Sequence, residues 1–190
     1  MASIVLFVED TYGVSFHRVI LERLEEARKL PKGASRLVTV RRLPSKKCNE
    51  RIYRGIAGYM LSREPDPHRW RVLVVIDSEG RAPEEAAERD VLAHVKGRAP
   101  IEVVVVEPRH EAWLCLGLGG ERRICRQSPE SFIERLAGRP YEKRMLATMA
   151  GRVDVGRLMR EADFQAYVKA LEKLLGRGGR GASSRRSAGV

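Results

Sequence analysis

The stretch "VLVVIDSEGR" (residues 72–81) decides how the rest of the chain is read. Five apolar residues run directly into Asp77, Ser78, Glu79 and Gly80. A short, continuous, β-branched run is the mark of a strand buried on both faces, as in a parallel sheet, rather than of an amphipathic strand with one wet side. Three other runs have the same character: Ile4–Val8, residues 37–43 and Ile101–Val106. Between them lie three segments with helical spacing. Residues 14–29 carry Val14, Ile20, Leu21, Leu24 and Ala27; residues 49–62 carry Ile52, Ile56 and Met60 at i, i+4, i+8; residues 83–96 open with Pro83, Glu84 and Glu85, suited to a helix start. The order β-α-β-α-β-α-β predicts an α/β fold, a mostly parallel sheet flanked by helices. Right-handed crossovers then place all four strand C-termini on one edge.

Beyond residue 106 the pattern turns helical, near 109–117, 129–137, 141–150, 153–160 and 161–175. The expected organisation is an α/β core over residues 1–108, a C-terminal helical extension over 109–176 packed on the core, and a disordered basic tail over 177–190. No internal repeat is visible.

The chain of 190 residues has 36 Lys and Arg against 25 Asp and Glu, a net charge of +11. Without the four Arg of the tail, 32 basic residues face 25 acidic ones and the balance is still +7. Such a balance points to a polyanionic partner, most simply nucleic acid, or else to a heavily charged surface suited to heat. The three cysteines, Cys48, Cys115 and Cys125, form no C-x-x-C pair, which argues against a disulfide framework or a zinc ribbon. No signal peptide and no apolar span of membrane length is seen, so a cytoplasmic, membrane-free protein is expected.

Ligands of open α/β sheets bind beyond the carboxyl ends of the strands. Here those ends carry Glu9 and Asp10, then Asp77 and Glu79, then Glu107. Residues i and i+2 of an extended segment point the same way, so Asp77 and Glu79 are expected to face one site with Glu9 beside them. Converging carboxylates repel one another unless a cation joins them, and Mg²⁺ or Mn²⁺ takes such hard oxygen ligands. Acids at water-facing strand ends are otherwise unremarkable.

The pattern "LFVEDTYG" followed by "VVIDSEG" resembles the Toprim domain of topoisomerases, primases and OLD-type nucleases, with the match covering about residues 1–106. "EPRHEAWLCL" and the helices from Tyr141 onward resemble a group of uncharacterised prokaryotic relatives of the OLD-type nucleases. The resemblance implies a Mg²⁺-dependent nuclease. Glu9 would be a general acid/base or metal ligand, Asp77 and Glu79 would hold the metal, and Glu111 would complete the catalytic set. Two positions depart from the family pattern: Asp10 stands where Gly usually follows the first Glu, and Glu79 stands where a second Asp is usual. Those departures motivate an alternative, a non-catalytic nucleic-acid- or partner-binding module with a degenerate site.

Lys46, Lys47, Arg51 and Arg54, near Tyr53, are candidates for gripping nucleic-acid phosphates, with Tyr53 available for stacking, or else a solvated helix face. "HEAWL" (110–114) lacks the second His of a zinc-protease motif, but His110 is a candidate to face the site. His17 reads as a half-buried packing residue, Trp113 as core and "LGLGG" (116–120) as a helix end. A response-regulator receiver is the rival fold; it needs a fifth strand followed by Lys, and none is found.

Overall fold

The computed structural model describes residues 4–176; the tail expected over 177–190 lies outside the described residues. Four strands form one all-parallel sheet in the order β2-β1-β3-β4. They are β1 (Ile4–Val8), β2 (Val38–Arg42), β3 (Arg71–Asp77) and β4 (Ile101–Val106). Each lies within a residue or two of its apolar run.

The continuity of those runs has a simple cause. Alternate residues of one strand feed two different cores. Ile4, Leu6 and Val8 of β1, with Leu73 and Val75 of β3, face one side; Val5 and Phe7, with Val72, Val74 and Ile76, face the other. With both faces covered, every side chain of the strand must be apolar. The second side is covered by α3 (Arg51–Met60) and by a helical segment that runs from α4 (Pro83–Ala87) through a π-helical turn (Glu88–Leu92) to α5 (Ala93–Val95). The π turn was not foreseen; the fully buried side chain of Asp90 lies within it.

The first side is covered by α1 (Thr11–Glu26) and by the whole second half of the chain. That half contains α6 (His110–Gly117), α7 (Arg122–Gln127), α8 (Pro129–Ala137), α9 (Met145–Thr148), α10 (Val155–Leu158) and α11 (Ala162–Gly176). Trp113, Leu114, Phe164, Tyr167 and Leu171 share one buried cluster with Ile4, Leu6 and Val75. The helices expected as an extension therefore supply one wall of the sheet's own core.

Three local differences have physical reasons. Helix α1 starts at Thr11, not 14, because Asp10 caps it, its side chain accepting from the Gly13 N–H at 2.7 Å. Two short helices escaped the periodicity, α2 (Ala34–Leu37) and α7, since neither spans enough turns to show a stripe. Among the described residues no disulfide framework is present, but one disulfide is: Cys115 of α6 and Cys125 of α7 are bonded, and a Cβ at the intervening Gly120 would lie 2.5 Å from both sulfurs. Ten residues separate the pair, and spacing alone carried no sign of it. Among the described residues no helix is long and apolar enough to cross a membrane.

Candidate functional site

Strand register sets the first two acids. Val8 lies opposite Val75, so Glu9 leaves β1 beside the end of β3, where Asp77 stands. Glu9 Oε1 accepts the backbone N–H of Asp77 at 2.6 Å. The exit of β3 is pinned in turn to that of β4: the Ser78 N–H donates to the Val106 carbonyl at 2.9 Å and the Glu79 N–H to the Pro108 carbonyl at 3.0 Å. A small cavity of about 10 Å³, close to the volume of one water or ion, is lined by Glu9, Asp10, Asp77, His110, Glu111 and Lys143. Glu111 reaches it from the first turn of α6, its Oε1 accepting from the Tyr141 hydroxyl at 2.8 Å. Asp10, besides capping α1, pairs with Lys143 at 2.7 Å. Burial alone would raise the Asp10 pKa, but Lys143 and the Gly13 N–H outweigh it and hold the carboxyl below its usual range. Glu9 goes the other way. Burial, then the charge of Asp77, raise its pKa against the opposing Asp77 N–H and Lys47.

Glu79 does not lie where an extended segment would put it. The strand ends at Asp77, and Glu79 adopts a left-handed conformation, φ 52°, in the turn before Gly80. The i, i+2 rule stops applying where the strand stops. The Glu79 carboxylate instead pairs with Lys47 at 3.1 Å and with Arg81 at 3.7 Å.

Lys47 is thus placed differently from Lys46, Arg51 and Arg54, which are exposed on the loop before α3 and on α3 itself. The Lys47 side chain is 13 % exposed, and its ammonium lies 3.1 Å from Glu9 Oε1, 3.1 Å from the Asp77 carbonyl oxygen and 3.8 Å from Asp90 Oδ2. Burial would lower its pKa; Glu9 and Glu79 together raise it, so the ammonium stays charged. Asp90 is bound at both oxygens by Arg81, at 2.9 and 2.6 Å. Tyr53, expected to be available for stacking, packs on Trp70 with ring centroids 6.3 Å apart, and Arg98 lies 5.0 Å over its ring.

On the opposite flank a chain of buried groups ends on Asp77. Asp77 Oδ1 accepts from the His110 backbone N–H at 3.0 Å and pairs with His110 Nδ1 at 2.5 Å. His110 Nε2 lies 2.8 Å from His17 Nε2, and His17 Nδ1 lies 3.0 Å from the Tyr167 hydroxyl. His17 and Tyr167 are fully buried and His110 nearly so. Burial disfavours charge on both imidazoles, but Asp77, with Glu9 and Glu111, raises His110, whereas His17 is held well below 6.5 by burial and by the charge of His110. When His110 is charged, its Nδ1–H donates to Asp77 and its Nε2–H to His17, whose Nδ1–H donates to Tyr167. When His110 is neutral, the Tyr167 hydroxyl donates to His17 Nδ1 and the His17 Nε2–H to His110 Nε2. Both arrangements satisfy every ring nitrogen.

Sequence reading had His110 as a candidate, but it gave His17 only a packing role and missed Tyr167. The one local hint was a histidine on the inward face of α1, beside Phe16 and three residues before Ile20. Glu107 lies apart from the cavity; its N–H donates to Asp163 at 2.9 Å and its carbonyl accepts from Arg126.

The donor set bears on the divalent metal that the strand-end acids suggest. Among the described residues no three His, Cys, Asp or Glu side chains are grouped so as to hold a metal ion. Mg²⁺ asks for less, since it commonly takes one or two carboxylates, keeps several waters and completes its shell with a substrate phosphate. Glu9 Oε2 and Asp77 Oδ2 accept no protein hydrogen bond among the described residues, so these two acids fit that limited role. Glu79, turned to Lys47 and Arg81, does not. No family model, no curated protein and no solved structure matches the chain.

Proposed function

We propose that this chain is a Toprim-like, Mg²⁺- or Mn²⁺-dependent hydrolase of nucleic-acid phosphodiesters. The observation that carries the reading is the convergence of Glu9, Asp77 and Glu111, from two strand ends and one helix start, on a single small cavity with His110. Glu9 and Asp77 would hold the cation. When bound, it would supply neutralising charge to the attacking and leaving oxygens of the phosphodiester. The chain's own residues do the positioning. His110 fixes Asp77 through Oδ1, leaving Oδ2 for the site. The Asp77 N–H fixes Glu9 through Oε1. Tyr141 fixes Glu111 at the cavity wall. The test is cleavage of labelled single- and double-stranded DNA and RNA with each metal. Wild type cleaves and Asp77→Ala does not; no cleavage by wild type, or equal cleavage by the variant, defeats the reading.

One observation favours a second reading, a nucleic-acid-binding module without catalysis. The Lys47 ammonium already brings positive charge to Glu9 and Glu79, so the acids have a counter-ion without any metal. This reading expects salt-sensitive nucleic-acid binding that survives Asp77→Ala, with no cleavage by either protein.

A further inference from the structure

Two surface grooves meet at one arginine. The first, about 380 Å³, opens at the turn after β3 and is bounded by Ser78, Arg81, Glu107, Arg122, Arg126 and Asp163. The second, about 390 Å³, continues past Arg122 to Arg157 and Arg160. The path begins beside the acids, because Ser78 separates Asp77 from Glu79 and Arg81 lies 3.7 Å from Glu79. It then crosses α7 and the start of α11.

The charges along this path are layered. Three carboxylates are at the bottom: the side chains of Asp90, Asp163 and Glu161 are 0, 2 and 7 % exposed, while Glu107 lines the first groove half-buried. Each holds an arginine, Arg122 at Nε and Arg81 and Arg126 at their terminal amino groups. Asp90 binds Arg81, Glu161 accepts from Arg122 Nε at 3.1 Å and Arg126 Nη2 at 2.6 Å, and Asp163 accepts from Arg126 Nη1 at 3.2 Å. Arg122 remains 73 % exposed, with both terminal amino groups left for a ligand. Arg157 is exposed, and Arg160 is exposed with no ion pair among the described residues. An anion entering the groove meets Arg122, whose counter-ion Glu161 is buried beneath it, and then Arg160 and Arg157, the latter 3.7 Å from the exposed Asp154. Arg122, held only at Nε, suits phosphate, which its two terminal amino groups can bind through parallel N–H groups.

The backbone is shaped for this. Gly119, at φ 96°, leaves room where a Cβ would come within 3.2 Å of Arg157 Nη1. The Cys115–Cys125 bond ties α7, which carries Arg122 and Arg126, to α6. No aromatic residue lines either groove, so contact would be with the phosphate backbone and not by stacking of bases.

We infer that this arginine groove carries the phosphate backbone of a nucleic-acid strand to the acidic cavity, in a manner independent of base sequence. The inference rests on the nucleic-acid reading above and replaces the exposed Lys46, Arg51 and Arg54 as the main grip.

The experiment uses the full chain and a labelled oligonucleotide of about 20 nucleotides, single-stranded and as a duplex, with binding read by fluorescence anisotropy across a salt series and cleavage read on the same samples. The triple variant Arg122→Ala, Arg157→Ala, Arg160→Ala weakens binding about tenfold or more and lowers the slope of log affinity against log salt by about 2 to 3. The variant Lys46→Ala, Arg51→Ala, Arg54→Ala stays within about twofold of wild type. Arg160→Glu, a single change at an exposed residue, gives a smaller loss in the same direction and guards against misfolding of the triple variant. Wild-type binding left unchanged by the triple variant and by Arg160→Glu overturns the groove, while metal-dependent cleavage in those samples keeps the enzymatic reading alive. Equal loss in both triple variants also overturns it. Failure of wild type to bind either oligonucleotide or to cleave it removes the groove and the nucleic-acid reading together.

Discussion

Glu9 and Asp77 stand side by side at one sheet edge, yet each is offset differently. Toward β2 the means is charge: Lys47 and Arg81 thread among Glu9, Glu79 and Asp90. Toward α11 the means is hydrogen bonding: Tyr167, His17 and His110 form a buried hydrogen-bonded line that ends on Asp77. The first arrangement is open to water and tolerant at its Glu79 end, 60 % exposed, where ion pairs contribute little and screening weakens them further, while Asp90 beneath is fully buried. The second is dry and intolerant, since each buried group left without its partner carries the full desolvation cost. The edge of the sheet therefore has a forgiving flank and a demanding one.

Changes at the junction should have the largest effect. Asp77→Ala is expected to abolish metal-dependent cleavage, by at least about a hundredfold in rate. It also leaves the buried His110 Nδ1 unpaired, for a stability loss of about 1–3 kcal/mol by urea denaturation. His17→Phe comes next and probes the demanding flank. It strands His110 Nε2 and the Tyr167 hydroxyl, again for about 1–3 kcal/mol at pH 7.5.

The same variant carries a pH signature. Folded His17 stays neutral well below 6.5, whereas the unfolded chain takes up that proton below about 6.5. Stability due to this group is thus present above 6.5 and falls as the pH drops beneath it, by about 1.4 kcal/mol for each unit. Wild type should show that acid-side slope in denaturation series between about pH 6.5 and 5, and His17→Phe should be flatter.

Lys47→Met probes the forgiving flank. Its expected stability loss is about 1 kcal/mol, because the ammonium is only partly buried. Its sharper effect is on cations: with the ammonium gone, Mn²⁺ should bind more tightly by calorimetry, and unchanged affinity would mean that lysine and metal do not share the acids. Glu79→Gln should do least. Its side chain is 60 % exposed, so stability shifts by less than about 0.5 kcal/mol. Cleavage is expected to remain within a few-fold, and collapse of cleavage would show that Glu79 ligates the metal after all.

The parts of this molecule that sequence makes legible are those built on short-range periodicity. Four continuous apolar runs imply four strands buried on both faces, and one shared direction puts Glu9 and Asp77 at the same edge. Glu111 is reached only through the resemblance to Toprim-type proteins; the residues alone show just that it opens a helix after that edge. What stays hidden depends on chain separation or on backbone turns. Lys47 lies 38 residues from Glu9, and its neighbours on α3 resemble any solvated basic face. His17 and Tyr167 are 150 residues apart, each at home in an apolar stripe. Glu79 misleads because the extended backbone stops just before it, and nothing in "DSEGR" fixes the residue at which alternation ends.

The strand order also has a consequence for how the chain reaches this shape. The first strand among the described residues, β1, is central, and both its neighbours come later in the chain: β2 from residue 38 and β3 from residue 71, with Ile4 opposite Arg71. Until β3 is made, one whole side of β1 has unpaired backbone and an apolar surface seeking cover. Pairings so distant along the chain close slowly. Truncations ending before residue 77 are expected to aggregate, so any dissection of the acidic edge is better done by substitution in the intact chain.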